Sequence, residues 1–144
     1  MRIAKRAGAS FAAFGVALAG LTLAVPTSAQ AASASDCKPG QLCLFEKENY
    51  TGGIFRVSGG CDKDLGDNYF SSGTRVVDQT SSIINNTGSA VFVAEFPDPY
   101  RKSGYELGVW GGGKLPNLRN VEVLNYRNSK FEYVNFDNNA SAVC

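Results

Sequence analysis

The chain has 144 residues, of which 44% are hydrophobic, and it carries a formal net charge of +1 and no histidine. A charge so close to zero argues against nucleic acid or an anionic membrane surface as the partner. The absence of histidine removes the usual general base, the Ser-His-Asp and Cys-His arrangements and the commonest zinc ligand. Paired carboxylates, as in glycosidases, are the catalytic alternative, but so small a domain has little room for both a core and a deep substrate cleft. We therefore expect a protein that is not an enzyme and requires no cofactor.

The N-terminal segment has the pattern of a secretory signal peptide. Three basic residues come first, residues 7–25 are apolar or small, and Ala29-Gln30-Ala31 offers an A-x-A cleavage site. A membrane anchor is the alternative, but the strongly apolar part is short for a span. Cleavage near Ala31 would leave one secreted domain, residues 32–144, of 113 residues (144 − 31).

Four cysteines, Cys37, Cys43, Cys61 and Cys144, lie in the exported part. An even count in a small secreted chain predicts two disulfides, and the lack of a C-x-x-C pair argues against a zinc site. Of the three possible pairings we favour Cys37–Cys43 with Cys61–Cys144, because a Pro-Gly pair between the first two lets the chain double back. The longer bridge would then hold the C-terminus in place.

Short apolar runs alternate with turn residues after the leader. The runs are rich in Val, Ile, Phe and Tyr, and breaks containing Gly, Pro, Asn or Ser separate them. This pattern indicates an all-β sandwich or barrel. The predicted strands are Leu42–Phe45, Ile54–Val57, Ser82–Ile84, Ala90–Phe96, Tyr105–Trp110, Val121–Tyr126 and Phe131–Phe136.

The last predicted strand carries apolar side chains on both faces. Phe131 and Tyr133 point one way, while Val134 and Phe136 point the other. The strand is therefore either covered on both sides or placed at a sheet edge with one face in water.

Two segments, Val77–Ile84 and Phe136–Val143, share the order Asp, polar residues, Ser, then small or apolar residues. Each follows a region with aromatic-bearing strands and closes one half of the domain. This weak repeat indicates a duplicated supersecondary unit, with halves of about 41–88 and 89–144.

Phe45, Tyr50 and Gly52 have the spacing aromatic, four residues, aromatic, one residue, glycine. This spacing resembles the Greek-key signature of the β/γ-crystallins. The resemblance implies a folded-over hairpin in which the glycine adopts a conformation that a Cβ would forbid. The tyrosine would pack over the turn, and Ser82 or Ser81 would bond back to it. The expected fold is an all-β, β/γ-crystallin-like sandwich of two Greek-key units with two disulfides.

The exported start, the spacing of the first two cysteines and the two-halved layout are similar to peptidase inhibitor family thirty-six, whose members are bacterial metalloproteinase inhibitors. The resemblance implies a secreted protein whose partner is an extracellular protease, with no nucleic acid or membrane partner. We expect it to act as a monomer, by placing a rigid exposed loop in the protease cleft.

The second half departs from the pattern of the family, because it has no clean aromatic signature and two prolines interrupt the nearest candidate. We interpret residues 95–104 as an insertion and as the inhibitory loop. No cysteine lies near it, so prolines alone would stiffen it. The expected protease-contact residues are Pro97, Pro99, Tyr100, Arg101 and Lys102.

Many β/γ-crystallin units also bind calcium, through an N/D-N/D-x-x-S/T-S motif. The copies here begin at Val77 and Asp137, and each lacks one expected side chain, so binding should be weak. The alternative is that these residues merely tie down turns. The candidate calcium ligands are Asp78, Gln79, Ser81, Asp137, Asn138 and Ser141.

Two functions of other classes therefore stand beside inhibition. One is a calcium-binding structural module. The other is a module that binds carbohydrate or cell wall through Trp110 and surface tyrosines.

Overall fold

A computed structural model describes residues 31–57 and 60–144. The predicted signal peptide lies, apart from Ala31, outside the described residues. Within the described ranges, no helix is long and apolar enough to span a bilayer.

The described chain is all-β, as predicted, with short 3-10 turns at Ala34–Asp36, Glu48–Tyr50, Leu65–Asp67 and Pro99–Arg101. Each of the seven predicted strands is present, with modest shifts of its bounds. The strands are β1 (Leu42–Lys47), β2 (Thr51–Val57), β3 (Ser82–Asn85), β4 (Val91–Ala94), β5 (Tyr105–Val109), β6 (Lys114–Leu115), β7 (Val121–Asn125), β8 (Lys130–Val134) and β9 (Ala142–Val143).

The strands form two antiparallel sheets. The four-stranded sheet has the order β2-β1-β3-β6, and the five-stranded sheet has the order β8-β7-β5-β4-β9. β3 returns beside β1 and β9 returns beside β4, the long-range return of a Greek key. Each half also contributes to the sheet of the other, because β6 pairs with β3 and Asp62 pairs with Val143. The fold is the expected sandwich of two Greek-key units.

The hairpin between β1 and β2 folds over as the sequence spacing predicted. Gly52 has a φ of 77°, and a Cβ there would lie 2.8 Å from the Lys47 side chain. The rings of Phe45 and Tyr50 meet edge to face, with centroids 5.7 Å apart. The Ser82 hydroxyl donates to the Lys47 carbonyl at 2.6 Å and accepts from the Tyr50 amide at 3.0 Å. Ser82, rather than Ser81, is therefore the side chain that tethers the turn.

The main core lies between the two sheets. From β1 it receives Leu42 and Leu44, while Cys43 and Phe45 of the same strand point outward. These outward residues are also buried, because the N-terminal segment containing Ala32 and Cys37 covers them in a second cluster. β1 is thus covered on both faces, which explains its nearly continuous apolar sequence.

Both disulfides are those predicted, Cys37–Cys43 and Cys61–Cys144. The first fixes the N-terminal segment against the outer face of the four-stranded sheet. The second joins the segment after β2 to the C-terminal residue, beside the pairing of Asp62 with Val143.

β8 lies at the edge of the five-stranded sheet. Phe131 and Tyr133 are exposed, whereas Val134 is partly buried against the core and Phe136 is fully buried. The second of the two sequence alternatives, an edge strand with one face in water, is correct.

Candidate functional site

The connection between β4 and β5, residues 95–104, projects from one end of the five-stranded sheet. Most of its residues are exposed, including Phe96, Tyr100, Arg101 and Lys102. Tyr100 is 66% exposed, which makes it the most accessible aromatic side chain of this loop. A large apolar ring left in water at a loop tip is available to a partner.

The middle of the loop is ordered by its own hydrogen bonds. Asp98 has a positive φ of 62°, and its carboxylate accepts from the Tyr100 amide at 3.3 Å. Its carbonyl accepts from the Arg101 amide at 3.0 Å, closing a short 3-10 turn that begins with Pro99. Because proline already holds the φ that this first turn position requires, the turn is partly pre-organised.

A second restraint comes from outside the loop. The Asp98 amide donates to the Lys63 carbonyl at 2.8 Å, and the Lys63 ammonium lies 4.7 Å from the centre of the Tyr100 ring. Lys63 follows Cys61, whose disulfide is fixed to the C-terminal residue. The prolines are therefore not the only stiffening elements, and sequence reasoning missed Lys63 because no local pattern links it to the loop.

The base of the loop repeats the geometry of the first-half hairpin. Glu46 accepts from the Gly53 amide at 2.9 Å, and Glu95 accepts from the Tyr105 amide at 3.0 Å. The glycine before each amide has a positive φ, 77° at Gly52 and 71° at Gly104. In the first half, residues 47–51 lie between Glu46 and Gly52. In the second half, residues 96–103 lie between Glu95 and Gly104. The loop is thus a hairpin of the same type with three extra residues.

The serine tether is missing from this second hairpin. Strand pairing places Ala142 where the first half has Ser82. Ser82 pairs with Phe45, the residue before Glu46, and Ala142 pairs with Ala94, the residue before Glu95. Without that hydroxyl the longer connection has no equivalent hydrogen bond to pull it back onto the sheet. The loop therefore projects from the sheet, and the hydrogen bonds that order it are made at Asp98 and at its base rather than by a serine hydroxyl.

Glu46 is the carboxylate of the first hairpin whose pKa is clearly shifted. Burial alone would raise its pKa. Hydrogen bonds from the Gly53 amide and from the Ser72 and Thr74 hydroxyls outweigh that effect, so the pKa lies below its ordinary value. Its negative charge is therefore part of what holds the hairpin closed.

The two predicted calcium segments lie side by side and bond to each other. The Ser141 hydroxyl donates to Asp78 Oδ1 at 3.0 Å, and the Ser81 hydroxyl donates to Asn138 Oδ1 at 3.5 Å. Asp78 and Asn138 both have positive φ values, 53° and 59°. These four candidate ligands are therefore brought together as two cross-linked pairs, an arrangement that also serves to tie the turns.

The other two candidate ligands do not join these pairs. Gln79 is exposed, and its side chain makes no hydrogen bond with a described residue. Asp137 Oδ2 lies 3.8 Å from Nε of Arg119, which also lies 2.7 Å from Glu48 Oε1. Within residues 31–57 and 60–144 there is no group of three or more His, Cys, Asp or Glu side chains able to hold a metal ion. The Arg119 guanidinium therefore already places a positive charge beside Asp137, one of the candidate calcium ligands.

The model of peptidase inhibitor family I36 matches residues 30–106, more than half of the 144 residues. The chain belongs to peptidase inhibitor family I36. The resemblance seen in the sequence is confirmed, and membership supports peptidase inhibition, implies a protease partner and suggests a protein that is not an enzyme. Membership and the two disulfides are consistent with secretion.

The part that matches family I36 contains the first Greek-key half and the whole 95–104 loop, and it ends inside β5. The later strands β6–β9 lie beyond it, in agreement with the looser resemblance of the second half. No curated protein and no solved structure matches the chain.

Proposed function

We propose that this I36 member is a secreted, monomeric inhibitor of an extracellular metalloprotease and that residues 96–103 occlude the protease cleft. The observation that carries this proposal is the exposed Tyr100 on a loop fixed at Asp98 by the Lys63 carbonyl. The family match, which includes this loop, supports it. The metalloprotease class rests on the resemblance described from the sequence.

The mechanism is pre-organisation. A loop that is already ordered loses little conformational entropy when it enters a cleft, so more of its contact energy is available for binding. Pro97 and Pro99 restrict the backbone, Tyr100 supplies apolar contact, and Arg101 and Lys102 supply basic contacts. Exposed aromatic and arginine side chains are the residue types that most often dominate such interfaces.

An inhibition assay against thermolysin-type and subtilisin-type proteases tests the proposal. We expect Tyr100→Ala to weaken inhibition by about tenfold or more, because hot-spot aromatics typically contribute over ~1.4 kcal/mol. Pro99→Gly should weaken it less, through loop entropy alone. Tyr69→Ala is the matched control, since Tyr69 is also exposed and packed under a cation, Arg75, at 5.8 Å, but lies outside the loop.

Two results would contradict the proposal. One is that neither protease is slowed at about 10 μM protein, a concentration that would reveal even micromolar affinity. The other is that Tyr69→Ala and Tyr100→Ala weaken inhibition equally, which would remove the loop from the interface. Inhibition of the subtilisin-type enzyme alone would contradict the metalloprotease assignment.

Calcium binding is a second candidate function, favoured by the pairing of Asp78 with Ser141 across the two halves. The fit is partial, because Ca²⁺ takes six to eight oxygens and this pair offers few side-chain oxygens. In the first copy of the motif, Val77 stands in place of the leading acid or amide. In the second copy, Arg119 lies beside Asp137, the residue before Asn138. An ion held by Asp78 and Ser141 would cross-link the two turns.

Thermal unfolding with and without calcium tests this candidate. If the dissociation constant is about 1 mM, 10 mM calcium should add about 1.4 kcal/mol to the free energy of unfolding. Asp78→Ala should abolish that increment, whereas Ser81→Ala, in the pair nearer Arg119, should retain it. An unchanged melting temperature in the parent protein would exclude the site.

A further inference from the structure

Four aromatic side chains stand exposed on the five-stranded sheet and its margin. Phe92, Trp110, Phe131 and Tyr133 are 45%, 78%, 70% and 67% exposed, and they are four of the seven large hydrophobic side chains exposed within the described residues. We refer to these four residues as the aromatic face. An apolar group of this size left in water on a small protein marks an interaction site.

Strand register places these rings on the outer side of the sheet. Phe92 pairs with Gly108, and Trp110 comes two residues after Gly108, directly beyond the end of β5. Phe131 and Tyr133 lie two positions apart on β8, so they share a side. The corresponding side of the four-stranded sheet is covered by the N-terminal segment and its disulfide. No described segment covers the aromatic face in the same way, so it is available to a partner.

A hollow opens in this face because β5 and β7 separate. They pair only at Tyr105 with Asn125 and at Glu106 with Leu124. Beyond these pairs, Gly108 has no side chain to fill the gap, and a hollow of about 430 Å³ results. It is lined by Ala90, Phe92, Gly108, Val109, Trp110, Glu122 and Phe131.

A second hollow of about 290 Å³ shares Gly108 and Glu122 with the first and reaches Tyr133. The two hollows therefore adjoin along the sheet. The larger has the volume of a typical small-ligand site, and together they offer room for successive units of an extended ligand.

Within the part of the chain that the structure describes, the one charged side chain that lines the two hollows is acidic. Glu122 lines both, no lysine or arginine lines either, and the Glu122 carboxylate has no hydrogen bond or ion pair among the described residues. Glu106, on the same side of β5, accepts from the Tyr126 hydroxyl at 3.0 Å. Phosphates, nucleic acids, acidic sugars and anionic lipids would meet repulsion here. A ligand that carries amino groups would meet a carboxylate and the faces of aromatic rings, both of which attract cations.

We propose that the aromatic face binds a polysaccharide of amino sugars, a partner separate from the protease. Pyranose rings present flat C–H surfaces that pack on exposed aromatic rings, and their hydroxyl and ammonium groups donate hydrogen bonds to a carboxylate. Trp110 and Phe131 supply the packing surfaces, and Glu122 accepts from the amino group. A basic peptide would satisfy the charge, but extended peptides bind mainly through main-chain groups of a sheet edge, whereas these rings stand on its face.

Retention of the full secreted protein on cross-linked chitosan beads tests the proposal, at a mildly acidic pH where the amines are charged and the cross-links keep the polymer insoluble. The parent protein should be retained, and Trp110→Ala and Phe131→Ser should each weaken retention about tenfold. Glu122→Gln should weaken retention on chitosan but change retention on chitin, whose amines are acetylated, less than twofold. Tyr69→Ala, an exposed tyrosine elsewhere, should behave as the parent.

Protease inhibition measured on the same variants separates this site from the loop. Trp110→Ala and Glu122→Gln should inhibit as the parent does, because Trp110 follows β5 at the end remote from residues 95–104. The proposal is overturned if the parent is not retained on chitosan or if both aromatic variants are retained equally well. It is also overturned if Trp110→Ala loses inhibition, which would make this face part of the protease interface, or if the protein binds polylysine and not chitosan. Unchanged melting temperatures verify that the variants are folded.

Discussion

At the scale of single residues, one hydroxyl distinguishes the two halves of the molecule. Ser82 is fully buried, donates to the Lys47 carbonyl and accepts from the Tyr50 amide, so it satisfies two groups of a strained turn. Tyr50 has a φ of 61°, which a bulky residue adopts only when its surroundings impose it. Ala142 occupies the corresponding position in the second half, and the connection there is longer and projects.

Ser82→Ala should lower the free energy of unfolding by about 2–3 kcal/mol, because it leaves the Tyr50 amide and the Lys47 carbonyl without a partner. Urea denaturation measures the loss. Ser81→Ala is the matched control, with an expected loss below about 1 kcal/mol, since the Ser81 hydroxyl makes only a 3.5 Å contact with Asn138. Equal losses would show that the tether does not hold the turn.

Glu46 gives the first hairpin a dependence on pH. Its pKa is lower in the folded chain than in the unfolded chain, so its contribution to stability is present above the unfolded pKa. The contribution disappears as the pH falls through the lower, folded pKa. Glu46→Gln should therefore be less stable than the parent at neutral pH by about 1–2 kcal/mol, and this difference should shrink in acid. Urea denaturation across this range checks it, and a difference that stays constant with pH would contradict it.

At the scale of the element, the 95–104 loop derives its order from contacts on both sides. Its base copies the acid-to-amide bond of the first hairpin, through Glu95 and Tyr105. Its tip rests on the Lys63 segment, which the disulfide at Cys61 anchors. A loop held in this manner can be exposed without being conformationally free, which is what an inhibitor requires.

Lys63→Ala should speed cleavage within residues 96–103 by a non-target protease about two- to fivefold, because it removes a cation–π contact of about 0.5–1 kcal/mol with Tyr100. The bond from the Asp98 amide to the main chain of Lys63 remains, so the effect should be modest. Limited proteolysis with mass spectrometry locates and times the cut. Arg75→Ala removes a similar contact from Tyr69 and should leave the loop rate unchanged.

At the scale of the whole molecule, the two halves are joined because each contributes backbone pairing to the sheet of the other. β6 completes the sheet of the first half, and Asp62 pairs with Val143 in the sheet of the second. The Cys61–Cys144 disulfide closes the same junction covalently. Neither half can therefore complete its own sheet, so we expect the domain to unfold as one unit.

Replacing both Cys61 and Cys144 by alanine should lower the free energy of unfolding by about 4.5 kcal/mol, because the bridge closes a long loop. The same change at Cys37 and Cys43 should lower it by about 2 kcal/mol through its shorter loop. Denaturation of the two double variants under identical conditions provides the comparison. A larger loss for the short bridge would show that packing around buried Cys43, rather than loop length, sets its contribution.

The sequence by itself determined the all-β class, the folded-over hairpin, both disulfides and the family. These features depend on local spacing, as with Phe45, Tyr50 and Gly52, or on the small number of ways that four cysteines can pair. Runs of three to seven residues rich in apolar side chains also predicted their strands.

Only the tertiary structure decided which distant segments meet. β6 and β9 have two residues each, too few to show a pattern, and Lys63 lies far along the chain from Tyr100. The cross-linking of Asp78 to Ser141 and the uncovered aromatic face likewise follow from how the two halves pack. A local sequence pattern indicates which side chains of one segment will be buried. Which other segment packs against them depends on shape and on chain entropy summed over the whole domain.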